Sequence, residues 1–110
     1  MEKIFEEIRI ERENQDKRFG KQNYPILDPI LINKPSERMC DEYEIPTEDR
    51  AREILNIRCT RGDLTYMHIL IEEISEIACC GSNTKELRKE MIQSAAVLVA
   101  MVEALDRNGR

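Results

Sequence analysis

The stretch Leu70-Ile71-Glu72-Glu73-Ile74-Ser75-Glu76-Ile77-Ala78, followed after a short break by Glu90-Met91-Ile92-Gln93-Ser94-Ala95-Ala96-Val97-Leu98, decides what kind of chain this is. Neither segment holds a Pro or Gly, and apolar residues recur at three- and four-residue intervals, the period of an α-helix. Residues three apart on a helix are surface neighbours, with roughly 5–6 Å between their Cβ atoms. Glu73 and Glu76 therefore aim two carboxylates at one point, and Glu90 with Gln93 presents two more oxygens from the facing helix. Such a cage suits a hard divalent cation, because Mg²⁺ takes oxygen ligands and keeps several waters or substrate phosphates in its shell. The acids also lie in the most apolar half of the chain, where an unpaired carboxylate is costly. Spacing alone leaves plainer readings open: a solvated face for Glu72, Glu73 and Glu76, and an ion pair between Glu90 and Lys85, Arg88 or Lys89.

Working outward, helix signals recur along the whole chain and strand signals do not. Residues 2–18 read as a first helix with a narrow apolar face (Ile4, Ile8 and, loosely, Phe5), stopped at Gly20 as an αL terminator would stop it. From residue 21 to 46 the segment is punctuated by Pro25, Pro29, Pro35 and Pro46, so it reads as a Pro-rich loop without a long helix or central strand. Within it, Tyr24-Pro25-Ile26-Leu27 and Ile30-Leu31-Ile32 are apolar enough to lie against the helices.

Thr47, followed by Glu48 and Asp49, is placed to cap a second helix that ends near Arg61 and Gly62. Asp63 is the expected cap of a third helix over about 64–80, with Leu64, Met67, Ile71, Ile74 and Ala78 as its stripe. Gly81 would close it. Asn83, with Glu86 three residues on, resembles a capping box and opens a fourth helix to about Asp106. Leu87, Met91, Ala95, Leu98, Val102 and Leu105 form its stripe, and from Ala95 to Val102 it is apolar all round. A helix apolar on every side is buried on more than one. In so short a chain a second subunit is the expected cover.

These signals fit one all-α domain over residues 1–110, a bundle of about four helices completed by oligomerisation. Its 110 residues sit near the commonest domain size. The net charge of −5, from 22 acidic and 17 basic residues, argues against a binder of nucleic-acid backbones, which would carry a basic face. The longest apolar run, Ala95–Val102, falls far short of the ~20 residues that span a bilayer. The start lacks a secretory apolar region, and the expected location is cytoplasmic. Cys40, Cys59, Cys79 and Cys80 form no CxxC pair and read as reduced thiols, some buried. A zinc site using them with His68 is the minor alternative.

The run His68 to Ala78 resembles the first motif, EExxE, of the MazG-like all-α nucleotide pyrophosphohydrolases, whose second motif, ExxD, follows on the next helix. Here Glu90 follows Glu76 after thirteen residues, which suits a tight helix–turn–helix. Glu11-Arg12-Glu13-Asn14-Gln15-Asp16, then Phe19-Gly20-Lys21-Gln22-Asn23-Tyr24-Pro25, is similar to a run in small, phage-type members. So are Ala95–Ala100 and Glu103-Ala104-Leu105-Asp106-Arg107, while the Pro-rich middle matches poorly.

This resemblance implies a MazG-like helical fold and hydrolysis of a (deoxy)nucleoside triphosphate to the monophosphate and pyrophosphate. It carries Glu73, Glu76 and Glu90 over as Mg²⁺ ligands, with Mn²⁺ as a possible substitute. The fourth ligand falls on Gln93, where the family motif has Asp; an amide oxygen ligates Mg²⁺ but brings no charge. Glu72 is the candidate for positioning or deprotonating the attacking water. Arg18, Lys21, Lys85 and Arg88 are the candidate phosphate partners. Gln22 and Asn23 are the candidates for hydrogen bonds to the base, with Phe19 or Tyr24 stacking on it. Expected partners are a nucleoside triphosphate and further copies of the chain, as a homodimer or homotetramer, with no nucleic acid and no membrane. Gln93 supports the rival reading, a non-catalytic helical oligomer that binds a nucleotide or a protein through a degenerate metal site.

Overall fold

Local capping chemistry sets the helix ends in the computed structural model, which describes residues 1–110. Five helices follow one another with no strand: α1 (Glu2–Phe19), α2 (Ser36–Glu42), α3 (Glu48–Arg61), α4 (Tyr66–Ala78) and α5 (Thr84–Asn108). Thr47 caps α3 as its sequence position predicts, its Oγ1 accepting the Arg50 amide at 3.2 Å. Gly62 then ends that helix in the left-handed region. Asn83 caps α5, its Oδ1 accepting the Glu86 amide at 3.0 Å.

Three expectations change. The Pro-rich stretch 21–46 holds α2, a two-turn helix that enters directly after Pro35, where the fixed φ and missing N–H of proline cost nothing. The cap of α4 is Thr65 rather than Asp63: the Thr65 amide donates to His68 Nδ1 at 3.1 Å, while Asp63 pairs with Arg58 and Arg61 at 3.0 and 3.1 Å. Gly20 stops α1 at φ 69°, ψ −178°, an extended left-handed conformation essentially reserved for glycine, rather than in the αL well.

The core gathers where the Pro-rich stretch folds back on the α4–α5 hairpin. Leu27 and Leu31 bury with Met39 and Cys40 of α2, Ala78 of α4 and Leu87 of α5. An Asx turn shapes this stretch: Asp28 Oδ1 accepts the Ile30 amide at 2.9 Å, and the Asp28 amide donates to the Tyr43 hydroxyl at 3.0 Å. Gly81 is needed here twice over. Its φ is +59°, and a Cβ would lie 3.3 Å from the Ile32 carbonyl oxygen.

Helix α4 is the hub, packing against α5, α3 and α2. Small residues permit those approaches. Ser75 is fully buried and donates to the Pro46 carbonyl at 2.9 Å and the Ile71 carbonyl at 3.1 Å, tying α4 to the entrance of α3. Ser75→Ala removes the donor to a carbonyl in a closed site, so we expect a loss of about 1–2 kcal/mol, read as a lower urea midpoint at unchanged slope.

Apolar surface is left over. The α5 stripe begins in the core with Leu87 and Met91, but its continuation through Leu98, Val102 and Leu105 is exposed. Phe5, Ile8 and Phe19 of α1 and Met67 of α4 are also largely exposed. The radius of gyration is 15.9 Å, against about 13 Å for a compact chain of this length. No helix is long and apolar enough to cross a membrane.

Candidate metal centre

The α4–α5 hairpin places three of the four expected ligands together. Glu73 and Glu76 stand one turn apart on α4, and Glu90 comes from the second turn of α5. Their ligating oxygens lie within 4.8 Å of one another. All three residues are half-buried. The Oε2 atoms of Glu73 and Glu90 are shielded from solvent and have no hydrogen-bond partner. A solvated acidic face would leave no such atoms, because water would satisfy them.

The electrostatics follow from that crowding. Burial, then the Glu90 and Glu72 carboxylates, push the Glu73 carboxyl above its usual range. Glu76 rises further, to about 8, through burial, a hydrogen bond with Glu90 that needs the proton, and the charges of Glu73, Glu90 and Glu72. Like charges so close cannot all ionise without a counter-charge. The arrangement therefore takes up either protons or a cation. Three convergent hard oxygens fit Mg²⁺ or Mn²⁺ better than zinc, whose sites are built mainly from thiolate and imidazole.

Gln93 is exposed on α5, although it lies only three residues from Glu90. Glu72 is half-buried beside the cage, its Oε1 3.9 Å from Arg52 Nε, and His68 one turn earlier is engaged in the α4 cap. Glu90 makes no ion pair with Lys85, Arg88 or Lys89. Lys85 and Arg88 are exposed on the first two turns of α5, the helix that carries Glu90. Arg18 stacks over Phe19, 5.3 Å from the ring centroid, and Lys21, Gln22 and Asn23 are exposed in the segment that follows α1. No hydrogen bond or ion pair joins these four to α4 or α5, so within one protomer nothing draws them to the carboxylates.

The thiols and His68 belong to no group of three ligating side chains. Burial pushes the Cys79 thiol up to about 11 and raises those of Cys40 and Cys80, so all three stay protonated.

Arg52 is the site residue that motif spacing missed. It reaches from α3 to Glu72 at 3.9 Å and Glu76 at 3.8 Å, and donates to Glu48 Oε1 of its own helix at 2.6 Å. A basic residue four positions after an acid reads as an ordinary intrahelical pair, and nothing local points it across to α4. No family model matches the chain, and neither a curated protein nor a solved structure shows significant similarity to it.

Proposed function

We propose that the chain is a Mg²⁺-dependent pyrophosphohydrolase of (deoxy)nucleoside triphosphates with a MazG-like all-α fold. The observation that carries this reading is the convergence of Glu73, Glu76 and Glu90 within 4.8 Å, with buried, unpartnered Oε2 atoms on two of them. These three would hold the cation, which when bound neutralises phosphate charge and makes water a better nucleophile. Glu72, beside the cage and outside its ligand set, orients the attacking water and accepts its proton. The water oxygen bonds to the α-phosphorus, the bond from that phosphorus to the bridging oxygen breaks, and pyrophosphate leaves. Lys85 and Arg88, exposed on the helix that supplies Glu90, are the candidate partners for the departing phosphates. Gln93 would have to turn inward to serve as a ligand. Arg18, Lys21, Gln22 and Asn23 remain candidate contacts for the rest of the nucleotide.

Pyrophosphate release from a panel of ribo- and deoxynucleoside triphosphates, with Mg²⁺ or Mn²⁺, tests the reading. Equal amounts of monophosphate and pyrophosphate are expected, whereas orthophosphate release would indicate a different bond broken. The exposed Gln93 amide favours one alternative, a helical oligomer that binds nucleotide or protein through a degenerate metal site. Its signature is a Tm raised by Mg²⁺ with nucleotide, as for any ligand of the folded state, without turnover.

Oligomerisation belongs to the same proposal. The stripe Leu98, Val102 and Leu105 continues the core stripe of α5 into solvent, and a second copy of the chain is the cover we assign to it. Leu98→Lys puts a charge in that seam while leaving the protomer core untouched. The expected result is a shift to monomer in light scattering with helical circular dichroism retained; an unchanged mass at the same concentration would contradict the assignment.

A further inference from the structure

Arg52 occupies a position that the proposed chemistry leaves unexplained. It is the one basic side chain within ion-pair reach of the acids of α4. Its hydrogen bond goes elsewhere, from Nη2 to Glu48 Oε1 at 2.6 Å. The contacts to Glu72 and Glu76, at 3.9 and 3.8 Å, are longer than hydrogen bonds and act through charge alone. The side chain remains 48% exposed, so the guanidinium lies at the rim of the cage and faces water. Glu76 belongs to both sets: it is one of the three converging carboxylates and one of the two acids beside Arg52.

From this geometry we infer that Arg52, anchored on α3 by Glu48, is an exchangeable counter-ion, drawn by the charges of Glu72 and Glu76 while the cage lacks a cation and freed to bind substrate phosphate once a divalent cation enters. The inference rests on the metal-centre reading above. Two effects follow from one placement. Before metal arrives, the Arg52 charge offsets part of the carboxylate repulsion and thereby competes with Mg²⁺. After metal arrives, Glu76 turns its charge to the cation and the pull on Arg52 weakens. Its N–H groups not bonded to Glu48 would then be available, at the rim of the cage, to the oxygens of a polyphosphate. Guanidinium is suited to that exchange, because its planar fork takes phosphate oxygens two at a time and it stays charged at every relevant pH.

Isothermal titration of the full chain separates these effects, with Mg²⁺ alone and then inorganic tripolyphosphate in saturating Mg²⁺ as the two probes. Arg52→Gln should bind Mg²⁺ alone about twofold to fivefold more tightly, the scale of one partly exposed charge pair. The same variant should bind tripolyphosphate at least about tenfold more weakly, the scale of a charge-assisted contact. Arg52→Lys keeps the charge and loses the fork, so Mg²⁺ affinity should stay near that of the unaltered chain while tripolyphosphate still weakens. Arg50→Gln, which loses only the exposed pair with Glu53 on the same helix, is the control and should change neither. Equal affinities in Arg52→Gln and Arg50→Gln, or weaker Mg²⁺ binding in Arg52→Gln, would overturn the role of Arg52 while leaving the metal centre intact. Failure of the unaltered chain to bind Mg²⁺ would remove the metal centre and this role together.

Discussion

Glu90→Gln should lose the Mg²⁺-dependent pyrophosphate release proposed for the chain by at least about 10²-fold while the protein stays folded. The magnitude follows from position. Groups that only orient a metal ligand typically cost 10–100-fold when removed, and Glu90 is itself a ligand in the proposed site. It is also the sole carboxylate that α5 contributes to the cage. Gln93 cannot stand in for it, being exposed and already an amide.

The substitution keeps shape and helix propensity and removes one of the charges that crowd Glu73 and Glu76. The metal-free variant should therefore melt no lower than the unaltered chain. Activity and stability then move apart, as expected of a residue kept for chemistry rather than for folding. Steady-state kinetics beside thermal melts checks this. A variant that loses activity and melts cooler to a similar degree would instead make Glu90 a structural residue.

The metal-free protein should lose stability as pH rises from about 4.5 to about 8. Glu76 has its carboxyl raised from 4.5 to about 8 in the folded chain. Between those values the native state keeps a proton that the unfolded chain has released. Where the native state binds more protons, stability falls with increasing pH. The loss is fully developed once pH exceeds the folded value. Glu73, raised in the same direction, adds to the slope. Each tenfold change in proton affinity is worth about 1.4 kcal/mol, and each kcal/mol moves Tm by about 4–8 °C in a chain near this size.

Mg²⁺ replaces the protons and should reverse the trend, because metal uptake at carboxylates releases them. The Mg²⁺-induced rise in Tm is thus expected to be small near pH 5 and to grow steadily towards pH 8.5. A flat profile in both conditions would mean that the three carboxylates neither share protons nor bind metal.

The sequence was most legible where chemistry is local. Thr47 and Asn83 announce α3 and α5 because a cap needs only its own side chain and an amide three residues on. The proximity of three carboxylates was legible for a similar reason, since the three-residue spacing of Glu73 and Glu76 fixes their shared face and a short turn brings Glu90 alongside, whereas Gln93, expected with them, is exposed. Legibility failed where a long-range partner decides. α2 is only two turns long, bounded by Pro35 and Pro46, and owes its place to Met39 and Cys40 entering the core. The α5 stripe showed which residues are apolar but not where the protomer stops covering them, so Leu87 is buried and Leu105 is not. The role of Thr65 depended on His68 turning back to it, whereas Asp63 had two arginines competing for its carboxylate. Arg52 needed the crossing of α3 over α4, which no sequence period encodes.

The most direct test of the account is Mn²⁺ binding, followed by loss of the free-ion paramagnetic resonance signal, in the unaltered chain and in Glu73→Gln. Saturable binding that Mg²⁺ competes away, and that the variant loses, is the expected result. Equal binding in the two proteins, or no binding by the folded unaltered chain, would contradict it.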